Sequence, residues 1–366
     1  MGDVRNGFRR TAKLGSKFIV YREKPQRQNA CLEETVPAIF LTHIPDMLKN
    51  YYGERALAEL RKLGDVRLND TGHVLDAKAL AQAAQGCEII ISDRQTAGPA
   101  EFFPLVGDLV AFLRVAVDIR NIDVAAASAQ GILVTHATPG FIASVAEMAI
   151  GFMIDCGRHI TEATSVYRTG RVPEARMGRQ LKGATLGIIG YGAIGAHLAE
   201  LGLALGMTVL VADPNKRVTR PMLKQVQFVD LLARSDFVVC LAIANEQTEN
   251  LMNAEAFAQM KPSAYFINLS RGNLVDEAAL ARALDDKRIS GAALDVGRAK
   301  DQMPSLALAR RADVIATPHT AGLTPEAAEH QAFDTVNQVK DLIAGRMPPG
   351  AANPEAAHRL SRLKRS

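Results

Sequence analysis

The sequence predicts an α/β protein built on two doubly wound parallel sheets, and three observations predict it. The chain has 366 residues, more than one hydrophobic core usually organises. Short β-rich apolar runs alternate with helical stretches along most of it, the pattern of parallel strands covered by helices on both faces. A glycine-rich turn, Gly190 to Gly195, follows one strand candidate and opens a helix candidate, which marks the head of the second sheet.

The elements follow in order. Apolar runs at Pro37 to Leu41, Glu88 to Ser92, Ala111 to Val117 and Ile132 to Thr135 read as strands. Between them, Arg55 to Leu63 and Ala77 to Ala84 repeat apolar residues at three and four positions, a helical period. Ser144 to Cys156 reads as a long apolar helix, and the polar stretch Arg168 to Lys182, with Gly170, Pro173 and Gly178, reads as an arm or linker. Six near-continuous runs then fit strands buried on both faces: Thr185 to Ile189, Thr208 to Ala212, Phe237 to Ile243, Ala264 to Leu269, Ser290 to Val296 and Asp313 to Ala316. Asn253 to Met260 and Glu277 to Leu284 are helical, and a last helix, Pro325 to Ala344, opens on Thr324 as N-cap.

Hydrophobic residues are 48% and charged residues 22% of the chain, a mix that excludes wholesale disorder. No apolar run approaches the roughly 20 residues of a membrane helix. A formal net charge of +4 does not by itself imply nucleic acid. Cys31, Cys87, Cys156 and Cys240 lie far apart, so buried thiols of a cytoplasmic protein are expected, with neither a zinc knot nor a disulfide framework. Residues 1–35 are basic, lack the apolar core of a secretory signal and read as a disordered extension; 353–366 forms a basic tail.

The turn Gly190-Tyr191-Gly192-Ala193-Ile194-Gly195 has the G-x-G-x-x-G form. Its glycines permit a tight turn, close approach of a pyrophosphate and close helix–strand packing, while the helix N-terminus faces the phosphates. Asp213 ends the next strand, 23 residues after Gly190. A carboxylate there accepts from the ribose hydroxyls of NAD and repels the 2′-phosphate of NADP. Lys216 and Arg217 follow closely.

Two further segments end strands, Asn268 to Glu277 with Ser270 and Arg271, and Thr317 to Gly322 with His319. Ligands bind beyond the carboxyl ends of such strands, so Arg271 and His319 are expected to face one cleft. A guanidinium holds a carboxylate and polarises an adjacent carbonyl, and an imidazole gives or takes the proton on that oxygen. Together beside NAD they point to an alcohol next to a carboxylate. The remaining histidines, including His136 and His197, lack partners at metal-ligand spacing, and no metal is implied.

From about Val36 to Asn353 the chain resembles the D-isomer-specific 2-hydroxyacid dehydrogenases, the family of D-3-phosphoglycerate, D-lactate and formate dehydrogenases. The likeness is carried by Asn121-Ile122-Asp123, Ser144-Val145-Ala146-Glu147, the glycine motif, Asn268 to Leu280, Gly291 to Val296 and Thr317 to Gly322. The resemblance implies a flavodoxin-like substrate domain from 36–138 and 323–352, with a Rossmann NAD-binding domain, 139–322, between its parts. It implies a homodimer joined through the nucleotide domains, with no nucleic-acid or membrane partner. Ser270, Arg271, Asp295 and His319 would border the cofactor, Asp295 as holder of the nicotinamide carboxamide. Arg94 would contact the distal group of the substrate.

The chain departs from the family at several points. Relatives pair the catalytic His with a Glu about five residues after the motif ending Asp295-Val296; here Lys300 stands in that place, followed by Asp301. Asp301, or Asp118 from the other domain, is the expected replacement. Ala116-Val117-Asp118 stands where relatives have glycines whose amides bind the substrate carboxylate, so Val117 and Asp118 are candidate substrate contacts. Phe141, where formate enzymes use Asn, disfavours formate. The expected function is hydride transfer between NAD and a 2-hydroxy acid/2-oxo acid pair. Alternatives are an NAD(H)-sensing, corepressor-like interaction protein with weak turnover and a dehydrogenase of sugar-derived substrates.

Overall fold

The computed structural model describes residues 36–363, so the extension at 1–35, with Cys31, lies outside the described residues. The first sheet holds β1 Ala38–Leu41, β2 Asp65–Leu68, β3 Ile89–Ser92, β4 Ala111–Arg114 and β5 Leu133–His136, all parallel, in the order β2-β1-β3-β4-β5. That is the flavodoxin-like order. Successive side chains point to opposite faces. Ile39, Leu41, Ile89, Ile91 and Leu113 meet Ala332, Val336, Val339 and Leu342 of the helix Pro325–Ile343 on one face. Phe40, Ile90 and Phe112 pack with Leu80, Phe102, Phe103 and Ala127 on the other. A helix from the end of the chain thus completes a sheet laid down at its beginning. Thr324 caps that helix as expected, accepting from the Ala327 amide at 3.2 Å, with Pro325 in its first turn.

The second sheet holds β6 Thr185–Ile189, β7 Thr208–Ala212, β8 Lys224–Gln225, β9 Phe237–Cys240, β10 Tyr265–Asn268, β11 Gly291–Leu294 and β12 Val314–Ala316. They run parallel in the order β12-β11-β10-β9-β6-β7-β8. This is the Rossmann order, and the direction of winding reverses between β6 and β9, the place where folds of this order bind ligands beyond the strand ends. The chain crosses between the sheets twice, and the crossings lie side by side: Phe141 packs on Gly322 and the Ser144 hydroxyl meets that of Thr324 at 2.9 Å.

Three elements depart from the expected pattern. β2 is an edge strand of sequence DVRL whose residues alternate exposed and half-buried, so it offers no apolar run. β8 is a two-residue edge strand, making seven strands where six were expected. The helix Ile160–Arg168 follows Ile142–Arg158 after a left-handed break at His159, φ 56°, with no glycine to announce it. The runs expected to continue to Val117 and Ile243 end as strands at Arg114 and Cys240. Their remaining residues form loops beyond the strand ends. The stretch expected as an arm is irregular from Arg171 to Gln180, with Val172 82% and Met177 97% exposed. Among the described residues no helix is long and apolar enough to cross a membrane. Cys87, Cys156 and Cys240 are buried free thiols, and burial pushes those of Cys156 and Cys240 up to about 12.

Candidate active site

The glycine turn is shaped by close approach. Gly190 has φ +95°, and a Cβ there would stand 2.7 Å from the Ala242 amide nitrogen and the Leu241 oxygen at the end of β9. A Cβ on Gly195 would stand 2.3 Å from the Gly190 oxygen, so only glycine lets the helix start against the strand end. Gly192 is different: a Cβ there would meet nothing within 4 Å. It caps the helix Ala193–Ala204 with no side-chain hydrogen bond, leaving free amides and the positive helix end toward open space. Beside it, Asp213 accepts from the amides of Tyr191 (2.7 Å), Asn215 (2.8 Å) and Lys216 (3.0 Å). Partial burial pushes its carboxyl upward, but those three amides outweigh it and hold the group below the usual carboxylate range. An open phosphate cradle next to a fixed carboxylate fits NAD.

β10 and β12 lead into the segments that carry Arg271 and His319. The Asn268 side chain at the end of β10 accepts from the Ser270 amide (3.2 Å) and donates to the Arg271 carbonyl (3.0 Å). Arg271 Nη1 donates to the Ser270 carbonyl at 2.7 Å, and the Ser270 hydroxyl donates to the Ala242 carbonyl at 2.6 Å. Burial, then the positive charge of Arg120, lowers the Arg271 pKa, while Asp118 acts in the opposite sense. The segment after β12 hangs on Asp295, 1% exposed at the end of β11. Its carboxylate accepts from the Thr317 hydroxyl (2.5 Å) and the amides of Thr320 (2.8 Å) and Ala321 (3.0 Å), on both sides of His319. Its carbonyl accepts from the His319 amide at 2.9 Å. In this arrangement Asp295 fixes the histidine segment.

The partner of His319 differs from both expectations. Nδ1 of His319 lies 2.9 Å from the backbone carbonyl of Asp301. A carbonyl only accepts, so Nδ1 donates to it, and Nε2 has no partner among the described residues. The exposed Asp301 side chain takes no part. Asp118 is committed elsewhere, bound to its neighbour Arg120 through Nε (2.9 and 3.0 Å), Nη2 (2.6 Å) and the amide (3.0 Å). The Arg120 guanidinium holds the Asp118 carboxyl at about 2. The carbonyl is presented by unusual backbone: Asp301, Gln302 and His319 have φ of 56°, 58° and 56°. Three non-glycine residues in the left-handed region at one ring are a form of strain that concentrates at functional sites.

The loops of the first sheet hang on a residue that sequence reasoning missed. Arg114, fully buried at the end of β4, bonds through Nη1 to the Asp93 carbonyl and through Nη2 to the Thr96 carbonyl (2.9 Å) and Asn121 Oδ1 (2.7 Å). Asp93 accepts from the hydroxyls of Thr42 (2.8 Å) and Thr96 (2.9 Å). Burial, offset in part by Asp93, lowers the neighbouring His43 to about 4. This buried network carries exposed Arg94 on one loop and exposed Val117, half-buried Asp118 and exposed Arg120 on the other. The available signal was a lone arginine closing an apolar run, Ala111-Phe112-Leu113-Arg114.

Residues 150–321 match the family model described as D-isomer specific 2-hydroxyacid dehydrogenase, NAD binding domain. The D-3-phosphoglycerate dehydrogenase of Synechocystis sp. is 36% identical over 66% of this chain, which spans 44% of that relative's length. The (S)-sulfolactate dehydrogenase of Chromohalobacter salexigens is 33% identical over 82% of this chain and 98% of its own length. Among solved structures, the TT0316 protein of Thermus thermophilus superposes with a TM-score of 0.74 at 26% identity, covering 86% of this chain and 99% of that one.

Proposed function

The chain belongs to the D-isomer specific 2-hydroxyacid dehydrogenases, NAD-dependent oxidoreductases acting on the CH–OH group of 2-hydroxy acids, and on that premise we propose how its residues divide the work. The nucleotide part is 139–322, and 36–138 with 323–352 forms the substrate part. Gly190, Tyr191, Gly192, Ala193, Ile194 and Gly195 border the pyrophosphate, Asp213 the ribose, and Ser270 and Asp295 the nicotinamide end. NAD held by these residues would supply the acceptor for a hydride from substrate C2, and NADH the donor.

Arg271 binds the substrate carboxylate and polarises the C2 oxygen. Nε2 of His319 removes the hydroxyl proton in oxidation and returns it in reduction. The Asp301 carbonyl, at 2.9 Å, keeps Nδ1 protonated and the ring turned, the service a carboxylate performs in relatives. Asp118 stays with Arg120. Arg94, Val117 and Asp118 line the substrate side. The observation that carries this reading is His319, whose Nδ1 is bonded to the Asp301 carbonyl and whose Nε2 has no partner among the described residues. We further propose a homodimer formed through the nucleotide part, supported by the exposed Tyr167, Val172 and Met177, and a cytoplasmic location, supported by the buried free thiols. The reading predicts that His319→Ala lowers kcat by about 10²–10⁴-fold with little change in NADH affinity by fluorescence titration. Unchanged turnover overturns the role of His319.

A further inference from the structure

Four charged side chains from three segments share one neighbourhood, and the proposed reaction uses only part of them. The loops that carry Arg94 and Arg120 form one platform. Asn121 Nδ2 donates to the Arg94 carbonyl at 3.3 Å, the Gly98 amide to the Asn121 carbonyl at 2.9 Å, and the Asp123 amide to the Gly98 carbonyl at 2.7 Å. Arg114 ties both loops from below through Asp93, Thr96 and Asn121. On this platform the Arg120 side chain is 75% exposed, steadied by Asp118 through Nε and Nη2. Its Nη1 has no bond among the described residues. From the other sheet, Arg271 lies within electrostatic range of Arg120, Asp118 and Arg94.

Three guanidinium groups against one carboxylate leave two positive charges. The substrate carboxylate on Arg271 neutralises one and leaves the other facing the far end of the ligand. We propose that Arg120 is a specificity-determining residue that receives a second anionic group, so that the site prefers 2-hydroxy and 2-oxo acids with two anionic groups over those with one. This rests on the dehydrogenase reading above and adds the substrate class. Asp118 holds the Arg120 guanidinium in place through Nε and Nη2. Arg94 supplies a second cation from the paired loop. The N–H donors of Arg120 that Asp118 leaves unused, at Nη1, suit a carboxylate, a sulfonate or a phosphate alike.

The test reduces two groups of 2-oxo acids with NADH at fixed ionic strength: glyoxylate and pyruvate, against oxaloacetate, 2-oxoglutarate and 3-phosphohydroxypyruvate. The expected result is a kcat/KM at least about tenfold higher for one or more of the second group, as a charge-assisted hydrogen bond implies. The best arm tells a carboxylate from a phosphate. In Arg120→Gln the ratio of the two groups falls by about tenfold or more, and Arg120→Lys recovers part of it because the charge remains. Preference for glyoxylate or pyruvate in the parent protein, or a ratio unchanged in Arg120→Gln, overturns the inference while leaving the dehydrogenase intact. Failure to reduce any of the five acids overturns the dehydrogenase reading and this one with it.

Discussion

The two sides of the cleft are built by opposite means. On the nucleotide side the binding surface is backbone: Gly190 and Gly195 sit where a Cβ would collide with main-chain atoms, and the amides after Gly192 stay unclaimed by any side chain. On the proposed substrate side the candidate groups are side chains on loops, and those loops are held by a buried cation, Arg114, whose Nε has no partner among the described residues. The first surface tolerates no side chain at Gly190 or Gly195 and needs no buried charge. The second accepts variety at its exposed positions and concentrates its vulnerability in one hidden residue. A fold that keeps its cofactor while changing substrates is served by this division.

Three changes sharpen the contrast. Arg114→Met removes the buried cation and leaves the carbonyls of Asp93 and Thr96 and the Asn121 side chain without their donor. Breaking such an arrangement costs about 3–5 kcal/mol, so denaturant unfolding should show the largest loss here; a loss below about 1 kcal/mol would mean the loops hold without it. Acid should act on the same region. Burial lowers His43 from 6.5 to about 4, so the unfolded chain takes up a proton before the native one does. Stability therefore falls as pH drops from 6.5 toward 4, by up to about 3 kcal/mol from this group at full linkage, and His43→Gln should flatten that slope. A slope identical to that of the parent protein would assign the acid response elsewhere. Gly195→Ala should have the smallest effect on unfolding, about 1–3 kcal/mol from overpacking, yet weaken NADH by about tenfold or more because the cradle must shift. Unaltered NADH titration would show that the turn is less tightly set than Gly190 and Gly195 imply.

How much of this was legible in the sequence follows the same division. β6 and β7 were read with their observed limits because Thr185–Ile189 and Thr208–Ala212 are apolar runs closed by turn residues. Asp213 and the glycine turn were legible because their spacing is a consequence of strand–turn–helix geometry. β2 escaped because an edge strand needs only one covered face and its alternation is weak. The companion of His319 escaped for a deeper reason: it is a carbonyl, which every residue possesses, so no letter at Lys300, Asp301 or Gln302 announces it. Arg114 stands in plain view at the end of a strand, but its burial depends on Asp93, Thr96 and Asn121 arriving from other loops. Contacts made by non-neighbouring loops leave no periodic trace.

The helix Pro325–Ile343 has a consequence for how the chain is made. Its apolar side fills one face of a sheet whose strands are β1 to β5, yet it leaves the ribosome long after β5, which ends at His136. The second sheet is contiguous and can assemble as it emerges. The first half synthesised is therefore the last to be finished: until that helix emerges, Ile39, Ile89 and Ile91 have only Tyr52, Leu57 and Leu60 of their later cover on this face. A nascent chain that has emerged from the ribosome as far as Gly322 should already retain nucleotide on one side and still be bound by chaperones on the other.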